Sequence, residues 1–363
     1  MNDPLPPNAT IGIVGGGQLG RMSAMAAARL GYRCHILTPE QDSPASQVSA
    51  YTFVGDYEDP AVLRAFAESV HVITFEFENI SAEGLELLGS IRPVRPTAAV
   101  LRISQDRSVE KSFLNDAGIE TAPWCAIRSR ADLHAAVARV GLPGLLKTTR
   151  GGYDGKGQSP LRSVSDLNAV WEDLGPKPLI LEALVPFERE ISVIVARGLD
   201  GRSAAFDPVE NYHQDGILSQ TQAPAAVTAE VAERATAIAI KVADALDLVG
   251  LLAVEMFVTT GGAVLVNEIA PRPHNSGHWT IDACPASQFE LHIRAVAGLP
   301  LAPTQRHSDA VMENLIGPEQ VAQWPNILAT PGLVPHLYGK SEARPGRKMG
   351  HVTRLYPLGA LNR

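Results

Sequence analysis

Hydrophobic residues near the start of the chain fall in short continuous blocks separated by helix-like stretches, the pattern of strands buried on both faces with helices packed over them. Ile11-Gly12-Ile13-Val14 is one such block, followed by Gly15-Gly16-Gly17-Gln18-Leu19-Gly20 and an alanine-rich run to about Leu30. That order predicts a strand, a glycine turn and a helix. Further strands are expected over residues 33–37 and 70–77, with a helix near Pro60–Glu68 between them, so a parallel Rossmann-like unit should end near residue 110. The next eighty residues read as a small α+β lid, with helices near 111–117 and 165–173 and strands at 145–148 and 179–182. Strands at 190–196 and 203–209, an amphipathic helix over 228–246, and strands 251–259 and 263–269 joined through Gly261-Gly262 predict a mostly antiparallel sheet with helices. A last hairpin is expected around Pro345-Gly346.

Composition narrows the function. At 363 residues the chain should form two or three domains, and 45% apolar with 19% charged residues is a globular balance. The net charge of -8 argues against a general nucleic-acid footprint. The cysteines Cys34, Cys125 and Cys284 are odd in number and far apart, which leaves no disulfide framework or CxxC site and fits a reducing, cytoplasmic setting. The start lacks the basic and apolar segments of a signal peptide. The most apolar region, 235–258, is broken by Lys241, Asp244, Asp247 and Glu255, so no membrane span is expected.

Five segments carry chemistry. Gly15-x-Gly17-x-x-Gly20 after a strand can turn backbone amides toward an anion, and Glu40 or Asp42 beyond the second strand keeps a nicotinamide-dependent oxidoreductase open as an alternative. Lys147-Thr148-Thr149-Arg150-Gly151-Gly152-Tyr153-Asp154-Gly155-Lys156-Gly157-Gln158 places cations among hinge glycines and suits closure over a polyphosphate, although it is not a Walker A loop. A two-residue turn at Gly261-Gly262 would set Glu255 directly opposite Glu268, and two facing carboxylates are destabilising unless something neutralises them. A hard divalent cation shared with nucleotide phosphates would do so, which points to Mg2+ and ATP. Ala270-Pro271-Arg272-Pro273-His274-Asn275-Ser276-Gly277-His278 follows, with an arginine fork for an oxyanion and polar groups to orient one. The basic run 344–351, with Lys340, could receive a substrate phosphate.

Taken together, residues 16–21, 151–158, 213–217 (His213-Gln214-Asp215-Gly216-Ile217), 267–278 and 344–351 resemble the ATP-grasp superfamily and, within it, the 5-(carboxyamino)imidazole ribonucleotide synthetases of purine biosynthesis. The resemblance implies an α/β and α+β chain: a Rossmann-like pre-ATP-grasp domain over 1–110, an ATP-grasp domain over 111–296 with its lid at about 118–189, and a small C-terminal substrate-contacting domain over 297–363. It implies a ligase in which ATP phosphorylates bicarbonate to carboxyphosphate and the carboxyl group passes to 5-aminoimidazole ribonucleotide. ATP is then expected at Arg107, Lys147, Gly152, Tyr153, Asp154, Gly155, Lys156, Gly157, Gln158, the hinge Glu182, Ala183, Leu184 and Val185, Glu190, His213, Asn267 and Glu268. Mg2+ is expected at Glu255 and Glu268. The ribonucleotide should meet Gln18, Leu19, Glu76, Tyr153, Asp154, Lys340 and Arg347, with Glu76 and Glu78 sharing one strand face. Bicarbonate should lie near Arg272, His274 and Asn275, which with Lys156 would serve the chemistry. A monofunctional homodimer is expected. Other carboxylases, transformylases or amine ligases of the superfamily would share Lys147 and the two glutamates, and a silent scaffold would need none of them.

Overall fold

The computed structural model of the chain describes residues 3–152, 156–175 and 177–361, and their strands form three sheets. The first is parallel, with β1 (Thr10–Val14), β2 (Arg33–Thr38), β3 (Tyr51–Val54) and β4 (Val72–Phe75) in the order β3-β2-β1-β4. The strand expected at 70–77 is β4, and β3 is an addition to the expected set. As an edge strand β3 leaves Tyr51 and Val54 more than half exposed, so it lacks the continuous apolar block that marks its neighbours. The helix Pro60–Glu68 lies where expected: Asp59 accepts hydrogen bonds from the Ala61 and Val62 amides, and Pro60 occupies the first turn, where no backbone donor is missed. Its Leu63, Phe66 and Ala67 pack with Val14, Ile73 and Phe75.

The second sheet is antiparallel, with β5 (Trp124–Ile127), β6 (Gly144–Thr148), β7 (Gln158–Leu161) and β8 (Leu179–Ala183) ordered β5-β8-β6-β7. Helices Arg130–Val140 and Leu167–Leu174 cover one face through Leu133, Ala136, Leu167 and Val170. Strand alternation sends Leu146 of β6 into this core and Leu145 and Lys147 to the opposite face.

The third sheet holds nine strands: β9 (Phe187–Arg197), β10 (Ser203–Ala205), β11 (Val209–Gln214), β12 (Ile217–Ala223), β13 (Gly250–Thr259), β14 (Val264–Ala270), β15 (Asp309–Ile316), β16 (Leu333–Leu337) and β17 (Lys348–Tyr356). Their order is β14-β13-β9-β11-β12-β15-β17-β16, with β10 beside β9, so the C-terminal strands continue the same sheet. The single strand expected at 203–209 is two, because Pro208 has no N–H for the ladder and the chain turns there to begin β11. In β9, Ile191, Val193 and Val195 pack with Ala235, Ala239 and Val242 of the helix Ala229–Ala245, which Thr228 caps. Ile194 and Ala196 point the other way, into a core with Trp279, and Glu190 on that same face reaches a cleft. Among the described residues no helix is long and apolar enough to cross a membrane.

Candidate active site

A cleft of about 980 Å³ opens between the three sheets. Gln18, Leu19 and Glu76 line it from the first domain, and Lys147, Gly152, Lys156, Gln158 and Glu182, Ala183, Leu184 and Val185 from the lid. The large sheet and its loops supply Glu190, His213, Glu255, Asn267, Glu268, Arg272, His274 and Asn275, with Arg107, Lys340 and Arg347 at the margins. Gly157 does not line the cleft; its carbonyl accepts from the Thr148 amide at 2.8 Å and its φ of +71° fits a glycine, so it shapes the lid turn. Tyr153, Asp154 and Gly155 lie outside the described residues.

Glu255 and Glu268 do face each other across β13 and β14, but not through the expected turn. The connection is a three-residue loop, Thr260-Gly261-Gly262, in which the Thr259 amide donates to Ala263 O and Gly262 takes φ +75°. Met256, Phe257 and Val258 pair with Val266, Leu265 and Val264, and then a β-bulge at Asn267 brings Glu268 opposite Glu255. The bulge decides the chemistry. Val264 and Val266 point into the main core, so an unbroken strand would bury Glu268 there too; the extra residue sends Ile269 to the core and Glu268 to the cleft. Each carboxylate has a cationic or polarisable partner: Arg107 Nη1 donates to Glu268 Oε2 at 2.8 Å, and His274 Nε2 lies 2.9 Å from Glu255 Oε1. Burial pushes the Glu268 carboxyl up, but the Arg107 guanidinium outweighs it and holds the group down at about 2.

Sequence reasoning missed the charge network behind these groups. Lys111, 1% exposed, donates to the backbone carbonyl of the bulge residue Asn267 at 3.2 Å and sits 3.2 Å from Glu182 Oε1. Lys147 Nζ donates to Glu182 Oε2 at 2.8 Å. Burial raises the Glu182 carboxyl, yet the two lysines bring it below its ordinary range. The Glu182 side chain thus ties the lid strand to the bulge. Glu110 beside it is held well above the ordinary range by burial and by Glu268. In the helix Arg107–Asp116, Val109 is exposed while Glu110 and Lys111 are buried, an inverted amphipathic pattern that only the folded chain reveals, with Arg107 and Lys111 one turn apart.

On the other wall, the glycine loop after β1 is already filled. Glu76 accepts from the Gly17 amide and, at 2.7 Å, from the Gly20 amide, taking the donors that a dinucleotide pyrophosphate would need. A Cβ at Gly15 would lie 2.3 Å from Glu76 Cγ, so glycine is required by this side chain. Burial holds the Glu76 carboxyl above its ordinary range. Glu78 instead meets the Arg272 fork: Nε donates to Oε2 and Nη2 to Oε1 at 2.8 Å, while Nη1 donates to Pro273 O at 3.1 Å. Burial opposes ionisation of Glu78, and Arg272 reverses it. Glu78 therefore fixes Arg272 and occupies its bidentate edge, and with Nη1 also donating to Pro273 O, one N–H each on Nη1 and Nη2 is left for an anion.

Glu190 of β9 contacts His213 Nδ1 at 2.5 Å; burial disfavours the imidazolium, but Glu190 raises it above its ordinary range. Asn275 exchanges two amide hydrogen bonds with Asn314, at 3.0 and 2.6 Å. Lys340 Nζ donates to Lys348 O at 2.6 Å and Arg347 Nη1 to Glu342 O at 2.8 Å, which folds the basic loop over the cleft mouth. Elsewhere Asp282, His336 and His351 come together, but the two imidazoles stack at 4.4 Å and 15°, so their in-plane lone pairs do not converge on one ion.

A lid sheet carrying an inward lysine, closed over an antiparallel floor that presents paired glutamates, defines an ATP-grasp ligase. Residues 112–289 match the ATP-grasp domain family, 8–105 the ribonucleotide synthetase preATP-grasp domain and 310–357 the phosphoribosylaminoimidazole carboxylase C-terminal domain. The chain is 53% identical over 355 residues to the N5-carboxyaminoimidazole ribonucleotide synthase of Brucella melitensis, covering 97% of this chain and 98% of that one. A crystal structure of an ADP complex of an N5-carboxyaminoimidazole ribonucleotide synthetase superposes with TM-score 0.95 at 43% identity over 98% of this chain and 94% of that one. The Aspergillus clavatus synthase, in complex with ADP and 5-aminoimidazole ribonucleotide, does so with TM-score 0.90 at 32% identity over 96% and 94%. The chain belongs to the N5-carboxyaminoimidazole ribonucleotide synthase family.

Proposed function

We infer that this chain uses ATP and bicarbonate to carboxylate the exocyclic amine of 5-aminoimidazole ribonucleotide, forming N5-carboxyaminoimidazole ribonucleotide, ADP and phosphate for purine biosynthesis. The observation that carries the reading is the bulge that turns Glu268 to face Glu255 in the cleft, opposite the lysines of the lid. Two hard carboxylate donors side by side on a rigid hairpin fit a divalent ion. Glu255 and Glu268 would hold Mg2+, whose charge would offset that of the transferring phosphoryl group.

Lys147 and Arg107 bind the phosphates electrostatically, and Lys156 brings a further cation from the lid. Leu145, Leu184 and Val185 give the base an apolar slot, and the Glu190–His213 pair offers polar atoms to the ribose. A bicarbonate oxygen attacks the γ-phosphorus, the bond to the β,γ-bridging oxygen breaks and ADP leaves. The carboxyphosphate then separates into carbon dioxide and phosphate, the amine nitrogen bonds to carbon as one C–O π bond opens to the carboxylate, and the amine proton passes to the released phosphate. Arg272, fixed by Glu78, and His274 supply donors to the anionic oxygens, while Asn275, braced by Asn314, borders them. Gln18, Leu19 and the basic loop at Lys340 and Arg347 flank the ribonucleotide, whose phosphate suits those cations. Lid closure excludes water from carboxyphosphate, which would otherwise hydrolyse unproductively.

The test is ADP release with magnesium and bicarbonate, with and without 5-aminoimidazole ribonucleotide. Strong stimulation by that nucleotide and not by other amines is expected; equal release with any amine would overturn the acceptor. The reading extends to a cytoplasmic homodimer, consistent with three unpaired thiols, and a light-scattering mass near 38.7 kDa would refute the dimer.

A further inference from the structure

His274 stands at the end of a buried chain of hydroxyl and amide groups that runs across the large sheet. Thr221 Oγ1 donates to Asn211 Oδ1 at 3.0 Å, and Asn211 Nδ2 donates to Ser192 Oγ at 2.9 Å. Ser192 Oγ donates to Ser276 Oγ at 2.8 Å, and Ser276 Oγ lies 2.9 Å from His274 Nδ1. Thr221, Ser192 and Ser276 are each 0% exposed, so water does not compete for these bonds. Hydroxyls can donate or accept, but one contact fixes the sense of the whole chain. The backbone N–H of Ser276, which can only donate, also points to His274 Nδ1 at 3.3 Å. Nδ1 is therefore an acceptor, and the proton of the neutral imidazole sits on Nε2. Each hydroxyl then accepts one bond and donates the next, with no orientation in conflict. At the far side, Nε2 meets Glu255 Oε1 at 2.9 Å, the geometry of an N–H donating to a carboxylate.

We propose that Thr221, Asn211, Ser192 and Ser276 are positioning residues that hold His274 in the Nε2–H tautomer, so that it meets the cleft as a hydrogen-bond donor and not as a base. This rests on the reading of the cleft as the site of bicarbonate activation. When a ligand draws Glu255 away, the same N–H faces an anionic oxygen of bicarbonate or carboxyphosphate. The opposite tautomer would present a lone pair to that anion and repel it. The chain acts at a distance: Ser192 and Ser276 are buried beneath the cleft floor and do not line it.

The test uses the full chain labelled with 15N-histidine and read by two-bond proton–nitrogen correlation, with the His274 signals assigned by their loss in His274→Asn. The wild type should show an unprotonated Nδ1 and a protonated Nε2. Ser276→Ala removes the short 2.9 Å hydroxyl bond and leaves only the long 3.3 Å backbone contact, too weak to hold the tautomer alone, so it should mix the two tautomers and lower kcat about tenfold. Its KM for ATP should stay within about twofold, because ATP contacts are intact. A wild-type His274 protonated on Nδ1 would overturn the proposal, as would a Ser276→Ala protein with unchanged tautomer and kcat. If Ser276→Ala does not fold, Ser192→Ala, one link further back, carries the same expectations. Should wild-type ADP release ignore the ribonucleotide, the functional reading fails, while the tautomer spectrum still decides the chain.

Discussion

Glu76 and Glu78 reach the cleft from the first domain, Glu255 and Glu268 from the large sheet, and the two pairs are held by different kinds of partner. Glu76 takes two backbone amides of its own domain, which are rigid donors that cannot leave. Glu78 is locked to Arg272 through a planar fork. Among the described residues Glu255 and Glu268 are held by side chains from other elements, His274 and Arg107, and by no backbone amide, so each carboxylate can turn away on its own rotatable bonds. A carboxylate satisfied by backbone is committed to architecture; one satisfied by a side chain can trade that contact for a ligand. Identical residue types facing one cleft thus divide into a wall and a working surface.

The largest effect is expected from Glu268→Gln. If Glu268 is the exchangeable member, ribonucleotide-dependent ADP release should fall about 10²- to 10³-fold, while the thermal midpoint changes little. Unfolding with normal residual turnover would place Glu268 with the wall. Next in size is Lys111→Met. It leaves Glu182 facing a single lysine and the Asn267 carbonyl without its donor, and should cost about 3–5 kcal/mol in denaturant unfolding. A neutral result would show that the bulge holds Glu268 outward unaided. Glu76→Gln sets an amide NH2 against the Gly17 or Gly20 N–H and should cost about 1–3 kcal/mol. Its main signature should be a lower thermal midpoint, since its bonds are to architecture.

The smallest effect is in acid. Glu268 has its folded pKa at about 2, below the ordinary carboxyl value of 4.5, so its pairing with Arg107 stabilises the fold fully above about pH 4.5 and loses that contribution as pH falls toward 2. Glu268→Gln should therefore show a shallower loss of stability through that window than the wild type. Glu76, raised by burial, acts with the opposite sign: its ionisation weakens the fold as pH rises from the unfolded carboxyl value through the folded one. Glu76→Gln should remove that small decline. Parallel acid profiles for both variants and the wild type would erase the distinction between the pairs.

Much of this was legible in the residue pattern. The strand, glycine turn and helix at residues 10–29, the capped helix Pro60–Glu68 and the long helix Ala229–Ala245 all follow period and capping chemistry. β3 escaped because an edge strand needs no continuous apolar block. The facing of Glu255 and Glu268 was anticipated through a two-residue turn that does not exist: the longer loop shifts the register by one and the Asn267 bulge shifts it back. No local pattern announces such a bulge, since it is set by the faces that Val266 and Ile269 must bury. Lys111 and Ser192 were invisible for a different reason, because their partners lie 71 and 84 positions away in the chain and only the folded sheet brings them together.

In the proposed reaction bicarbonate takes the γ-phosphoryl group at the glutamate end of the cleft before its carbon reaches the amine. Turnover of 18O-labelled bicarbonate with ATP and 5-aminoimidazole ribonucleotide tests it directly. One labelled oxygen per phosphate released is the predicted result, because the attacking bicarbonate oxygen stays on phosphorus. Phosphate without label, formed alongside carboxylated product, would contradict the account.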